Sequence, residues 1–362
     1  MKFFFIILIL GIFGVQCRQE PRQSSQSQQQ SQTQSSTRQA TQKEGLKSVV
    51  GGARDITLLM DPASESLIGK EIIQTLRLSR FPSRIENTFK VRKPALEKYH
   101  ISKLWYNAVL VFQMDSPATV AIETEKYLTA DEKATIDREG ILSIYRESVW
   151  SFGQHVYFLV ARDSVALLKK GDSYARRIVA DIEARLNKDM ADEIYQYGLN
   201  DERVEQMEKF GWRFDLPSDY SLYKQSEGDR AMMYRRRNLD PLIDRIITVH
   251  WGPATEVELT EDRMKQMRDK ILAKYSSGDY VGESFLFFRK CRFSGRDALM
   301  MEGNWKNDKD MIGGPFRAYL FIDQETSRYY MVDYYVLAIG QKKDRLMRQL
   351  EIIISSFSPE SG

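Results

Sequence analysis

The sequence predicts an α+β protein in which an N-terminal α/β domain is joined by a long helical connector to a C-terminal antiparallel-sheet domain with two helices. Three observations predict it. Short apolar runs alternate with amphipathic helical sequence up to residue 161, as a layered α/β structure requires to cover both faces of its sheet. A charged segment from about Ser164 to Lys209 then carries Ile178, Ile182, Leu186, Met190 and Ile194 at four-residue spacing, which is one core-facing helical stripe. From Trp212 onward strand-like runs follow one another with only two helical interruptions, the order of an antiparallel sheet rather than of βαβ units.

The chain opens with an address rather than a fold. Lys2 leads an apolar run from Phe3 to Val15 of about 13 residues. A membrane-spanning helix needs roughly 20, whereas the hydrophobic region of a signal peptide needs fewer. Residues 1–16 are therefore expected to be a signal peptide. The segment Phe13-Gly14-Val15-Gln16-Cys17 resembles the bacterial lipobox, in which cleavage leaves a diacylated cysteine as the new N-terminus. The resemblance implies lipidation, palmitate included, at Cys17, with membrane lipid as the partner. Gln16 departs from the pattern, because a small residue normally precedes the cysteine, and an ordinary cleaved signal or an uncut N-terminal anchor are the alternatives. Residues 17–45 are rich in Gln and Ser and almost devoid of apolar side chains. They cannot bury enough surface to offset their ordering entropy and are expected to form a disordered tether.

In the N-terminal domain, residues 46–200 with the connector, Ile56 to Asp61 reads as a short buried strand ending at Asp61-Pro62, and Ser64 to Leu76 as an amphipathic helix. A helix around Pro94 to Lys103 precedes the strand Ala108 to Met114, and helical sequence between Ala130 and Ser151 precedes the strand Val156 to Ala161. Gly198 and Asn200 interrupt the charged connector, and Asn200-Asp201-Glu202 caps a second short helix running to Gly211. The domain boundary is placed there, giving a C-terminal domain over residues 201–362. Its expected strands are Trp212 to Pro217, Ala231 to Arg235, Arg245 to Trp251, Ser284 to Phe293, Ala298 to Trp305, Ala318 to Asp323 and Arg328 to Val336. One inserted helix carries Met264, Met267, Ile271 and Leu272, and a final one Leu346, Leu350, Ile353, Ile354 and Phe357. Arg328 to Val336 is apolar on both faces except at Asp333, which predicts a central strand covered on both sides.

Composition narrows the function class. With 362 residues, 42% hydrophobic and 11% aromatic, the chain is long enough for two cores. The 53 basic and 50 acidic residues are interspersed and sum to +3, which gives no surface for nucleic acid. The sharpest basic cluster, Arg235-Arg236-Arg237, reads as a solvated strand end. Only two cysteines are present. With Cys17 lipidated no intramolecular disulfide is available, and Cys291, on an alternating stretch with Phe287, Arg289 and Phe293, reads as a packed thiol. His100, His155 and His250 stand singly, without a ligand at metal-binding spacing. No nucleophile elbow, phosphate-binding loop, dinucleotide fingerprint or Cys-x-x-Cys pair occurs, so no catalytic residue, metal or cofactor is assigned.

Met207-Glu208-Lys209-Phe210-Gly211-Trp212-Arg213-Phe214-Asp215-Leu216-Pro217-Ser218-Asp219-Tyr220, Met311-Ile312-Gly313-Gly314-Pro315-Phe316-Arg317-Ala318-Tyr319, Val332 to Val336 and Leu346 to Glu351 resemble an uncharacterised family of Bacteroidetes lipoproteins built on a domain of unknown function. The resemblance covers nearly everything after the tether and is most specific in the C-terminal half. It implies a lipid-anchored envelope protein of unassigned activity and brings no catalytic residues with it. The order of strands and helices in that half is also similar to the fold of the photosystem oxygen-evolving PsbP subunit and the small nuclear-import factor Mog1, whose members mostly act as docking or accessory subunits.

Five residues are candidates for a ligand or partner rim: Trp305, Gly313, Gly314, Phe316 and Asp333. Asp333 is an ionisable group in an apolar strand and must be paired or functional; an arginine on an adjacent strand, such as Arg317, would serve as the pair. The segment Asp308 to Pro315 reads as a turn whose glycines permit close backbone approach, flanked by Trp305 and Phe316 as core residues or as an exposed aromatic platform. Taken together these readings predict a lipid-anchored cell-envelope protein, facing the periplasm or the cell surface, acting as a non-enzymatic binding or assembly module for another envelope protein or a glycan. The alternative is a motif-poor hydrolase of the envelope using carboxylates such as Asp333 and Glu302.

Overall fold

The computed structural model describes residues 47–77 and 87–360. The expected signal peptide, Cys17 and the Gln/Ser tether lie outside the described residues. The first half runs β1 (Lys47–Ser48), β2 (Asp55–Met60), α1 (Pro62–Arg77), β3 (Lys90–Arg92), α2 (Tyr99–Ser102), β4 (Asn107–Gln113), α3 (Thr119–Glu125), α4 (Ala130–Glu139), β5 (Ile141–Glu147), β6 (Ser151–Phe152), β7 (His155–Ala161) and α5 (Ser164–Ile194). Its five-stranded sheet has the order β3-β2-β4-β7-β5, with four parallel strands and β5 antiparallel at the edge. Strand residues such as Leu58, Val109 and Leu159 face α1 and α5, while Leu110, Phe112 and Phe158 face α3 and α4. Both faces are thus dry, which is why these strands are apolar runs without alternation.

Asp61 explains the sharp end of β2. Its Oδ1 accepts from the backbone N–H groups of Ala63 and Ser64 at 3.0 and 3.2 Å, and its Oδ2 from the N–H of Gln113 at 3.1 Å, so one buried carboxylate starts α1 and ties it to β4. Two expectations need correction. The helix expected over Pro94 to Lys103 is a single 3₁₀ turn at Leu96–Lys98 followed by the four-residue α2. The helical sequence expected from Ala130 to Ser151 stops at Gly140, whose φ of +84° ends α4, and the next residues form β5. Ile141 and Ile144, three apart as in a helix, are both buried in a strand, so short spacing could not separate the two periods.

The connector α5 is 31 residues long, capped by Asp163 accepting from the N–H of Ala166 at 2.8 Å. Its apolar stripe serves two cores. Leu167, Ala175, Ile178 and Ile182 pack on the N-terminal sheet, whereas Met190 and Ile194 belong to the C-terminal core.

The second half continues α6 (Asp201–Glu208), β8 (Trp212–Arg213), β9 (Ser221–Ser226), β10 (Ala231–Leu239), β11 (Leu242–Pro253), α7 (Glu261–Tyr275), β12 (Tyr280–Phe293), β13 (Arg296–Asn307), β14 (Ile312–Asp323), β15 (Arg328–Ala338), α8 (Asp344–Ser355) and β16 (Ser358–Pro359). Seven strands form one antiparallel sheet in the order β12-β13-β14-β15-β11-β10-β9. The fold is α+β, as the sequence predicts. The apolar face of α8 covers one side of this sheet through Leu346, Leu350, Ile353 and Ile354, and Met264, Met267 and Leu272 of α7 cover the other. β15 lies between β14 and β11 and is buried from Tyr329 to Ala338. The strand expected at Trp212 to Pro217 is only two residues long and pairs with β16 outside the main sheet. Trp212 there stacks on Phe357, ring centroids 5.9 Å apart, and so pins the end of α8.

The halves meet through α5 and α8. Arg348 is fully buried between them, donating from Nη1 to Asn187 Oδ1 at 2.9 Å and from Nη2 to Glu183 Oε1 at 3.1 Å. Arg54 of the first half also pairs with Asp344 at the start of α8.

Candidate functional site

Helix α7 starts at Thr260, whose side chain accepts from the N–H of Arg263 at 3.3 Å, and lies across one face of the seven-stranded sheet. Its apolar stripe contains one arginine, Arg268, which is 1% exposed. The Nε of Arg268 donates to Asp333 Oδ1 at 2.8 Å, and the guanidinium sits 3.7 Å from the ring centre of Phe316 and 5.6 Å from that of Tyr335. Both Nη atoms of Arg268 and Oδ2 of Asp333 are buried without a hydrogen-bond partner among the described residues. Burial pushes the Asp333 carboxyl up, and Arg268 opposes that shift.

The candidate rim residues gather here, but under α7. Phe316 is 0% and Trp305 2% exposed, so these aromatics form no exposed platform; α7 covers the face that they occupy. The indole N–H of Trp305 donates to the carbonyl of Val336 at 3.2 Å. Gly313-Gly314-Pro315, expected in a turn, lie inside β14, opposite Lys306, Trp305 and Asn304 of β13. Their glycines are needed for close approach. A Cβ at Gly314 would stand 2.0 Å from the carbonyl oxygen of Val336, and one at Gly313 would stand 2.6 Å from that of Trp305.

Arg317 is not the partner of Asp333. In the β14–β15 register Asp333 is opposite Ala318 and Arg317 is opposite Tyr334, which puts Arg317 on the α8 face. There its Nε donates to Glu302 Oε2 and its Nη1 to Glu351 Oε1, each at 2.8 Å. Asp333 and Glu302, the carboxylates of the hydrolase alternative, therefore lie on opposite faces of the sheet and share no cleft. The signal for Arg268 was present in the sequence: it lies four residues after Met264 and four before Leu272, inside the buried stripe.

Clefts open around this sheet among the described residues. One of about 150 Å³ has Trp305, Tyr335 and Leu337 as its apolar wall and Arg235, Asp244 and Asp279 among its polar groups. Burial pushes the Asp279 carboxyl up, while Asn307 Nδ2, donating to it at 2.8 Å, works against that. Arg237 forks onto Asp244 here, Arg235 lies over the Tyr223 ring and Arg236 pairs with Asp219 at 2.9 Å, so the basic cluster of β10 is committed to local partners. A second cleft, of about 300 Å³, opens between α7 and the β9–β10 turn, with His250 and Tyr329 at its base. A third and more open one, of about 600 Å³, lies at the β12–β13 and β14–β15 turns. Among the described residues no three His, Cys, Asp or Glu side chains are grouped to hold a metal ion.

His250 is pushed down to about 4, by burial first and then by the nearby cations of Arg230 and Lys270. Its folded value lies below the unfolded one of about 6.5, so the unfolded chain takes up the proton first as pH falls. The stability held by neutral His250 is present above pH about 6.5 and is lost between there and about 4, amounting to as much as about 3 kcal/mol. Urea unfolding at pH 7 and pH 4.5 is expected to show this loss, and His250→Gln is expected to remove that part of the slope; an unchanged slope in the variant refutes the assignment.

A family model for a domain of unknown function (DUF4837) matches residues 199–356, the half that carries the site. No curated protein matches the chain. Among solved structures, a protein from Bacteroides thetaiotaomicron VPI-5482 is similar with a TM-score of 0.26 and 11% identity, over 42% of this chain and 46% of that one. This chain thus spans less than half of that protein's length. LpqN, described as involved in cell envelope biogenesis of Mycobacterium tuberculosis, is similar with a TM-score of 0.25 and 10% identity, over 41% of this chain and 83% of its own.

Proposed function

We propose that this protein is a lipid-tethered, non-enzymatic binding or assembly module of the bacterial cell envelope, and a Bacteroidetes lipoprotein of the kind that its C-terminal motifs resemble. The reading rests on the order of its first 45 residues: a short apolar run, Cys17, then a polar Gln/Ser tract. Among the described residues no helix is long and apolar enough to cross a membrane. One structural observation supports a binding role over catalysis. The buried carboxylates Asp333 and Glu302 are each paired with an arginine and face opposite helices, so the two cannot act together as an acid pair. The partner is another envelope protein or a glycan.

Expression of the full chain in a bacterial host tests the anchor. The wild type is expected in the membrane fraction with a diacylglyceryl mass on its N-terminal peptide, and Cys17→Ser in the soluble fraction without it. A Cys17→Ser protein that stays in the membrane fraction would falsify the lipid tether.

A further inference from the structure

The cleft between α7 and the β9–β10 turn carries charge that the packing of the fold does not use. We infer that it binds a dianionic phosphate group attached to a small apolar body.

Helix α7 places Arg263, Gln266 and Lys270 at i, i+3 and i+7, along one exposed strip at the mouth of the cleft. Met267 and Ile271, one residue further round, line it on the apolar side together with Tyr329. Two carboxylates also line the cleft, and both already have cations. Glu256 pairs with Arg230 at 2.6 Å, and Asp229 is held by Lys274 and by the hydroxyl of Tyr275. Arg263 donates only to the backbone carbonyl of Glu256, at 3.2 Å, and Lys270 has no ion-pair partner among the described residues. Two cations are therefore left unneutralised at one opening, and a dianion matches them.

The donors suit phosphate. Arg263 offers a planar fork for two oxygens and Lys270 a compact point charge, and hydrogen bonds between ionised groups are about twice as strong as neutral ones. At the base, His250 is uncharged at neutral pH and lies edge-on to the Tyr329 ring, with centroids 5.4 Å apart. It adds no charge there, and its Nε2 faces the Tyr329 hydroxyl at 3.4 Å. A volume of about 300 Å³ exceeds that of a phosphate group, and Met267, Ile271 and Tyr329 would take the apolar remainder of the ligand.

This inference goes beyond the protein-or-glycan reading, and it can fail independently of the lipid tether because its test uses the full chain with Cys17→Ser. Phenyl phosphate titrated calorimetrically into that protein is expected to bind saturably and to weaken with salt, while benzyl alcohol is not expected to bind. Arg263→Gln and Lys270→Gln should each weaken binding about tenfold and the double variant about a hundredfold. Both side chains are exposed, so the melting temperature without ligand should not change. Sedimentation with vesicles containing phosphatidic acid, against vesicles of phosphatidylcholine alone, separates a lipid headgroup from a soluble phosphate as the source. Binding in either arm that needs Arg263 and Lys270 supports the site. Absence of binding in both arms, or a double variant that binds like the parent, overturns it.

Discussion

Asp333→Asn is expected to destabilise the protein by about 3–5 kcal/mol, because it leaves the Arg268 guanidinium buried without a counter-charge. Both partners are 1% exposed and joined by one 2.8 Å hydrogen bond, and neither Nη of Arg268 has another acceptor among the described residues. Asparagine keeps the shape of the side chain and removes only the charge, so the loss reports the ion pair rather than packing. At roughly 2–4 °C per kcal/mol the melting temperature should fall by about 6–20 °C. Asp333→Leu combined with Arg268→Met should recover most of that loss, since apolar replacement of a whole buried pair is often neutral or stabilising. An Asp333→Asn protein that melts unchanged but has lost phenyl phosphate binding would reverse the assignment and make Asp333 a ligand-site residue.

Gly314→Ala should cost on the order of 4–5 kcal/mol, at the upper end for a single substitution, although it adds one methyl group. The added Cβ would lie 2.0 Å from the carbonyl oxygen of Val336 and 3.1 Å from the indole nitrogen of Trp305. The first is backbone of β15, paired with Arg245 of β11 and accepting from the Trp305 indole N–H, and cannot move without disturbing both the β11–β15 ladder and that bond. The same change at Gly228 meets no heavy atom within 4 Å and is the matched control. Equal melting temperatures for the two variants would show that β14 and β15 do not approach as closely as described.

Much of the fold was legible in the sequence because burial imposes its period on the residues. The strand Arg328 to Val336 reads as doubly covered, and it is, because a strand between two packed helices has no wet face on which to place polar side chains. Asn200 announces α6 as a cap and does cap it, accepting from the N–H of Arg203. β9 was not legible, because it is an edge strand, half-buried at best, whose polar residues carry no burial pattern. β5 was lost for another reason: Ile141 and Ile144 fit both periods, and only the left-handed Gly140 separates helix from strand.

The candidate site divides in the same way. From the sequence alone it follows that Asp333 sits in an apolar strand and needs a counter-charge, since desolvating a carboxylate is costly wherever that strand lies. Which arginine supplies the charge was a tertiary decision. Strand alternation puts Arg317 and Asp333 on opposite faces once the β14–β15 register is set, and register depends on pairings between residues far apart in the chain. The two helices then sort the charges, with α7 bringing Arg268 to Asp333 and α8 bringing Glu351 to Arg317. The cleft of Arg263 and Lys270 has no sequence signature at all, because its walls come from a turn at 228–230, a helix at 263–271 and a strand at 329, and only the packing of α7 across the sheet draws them together.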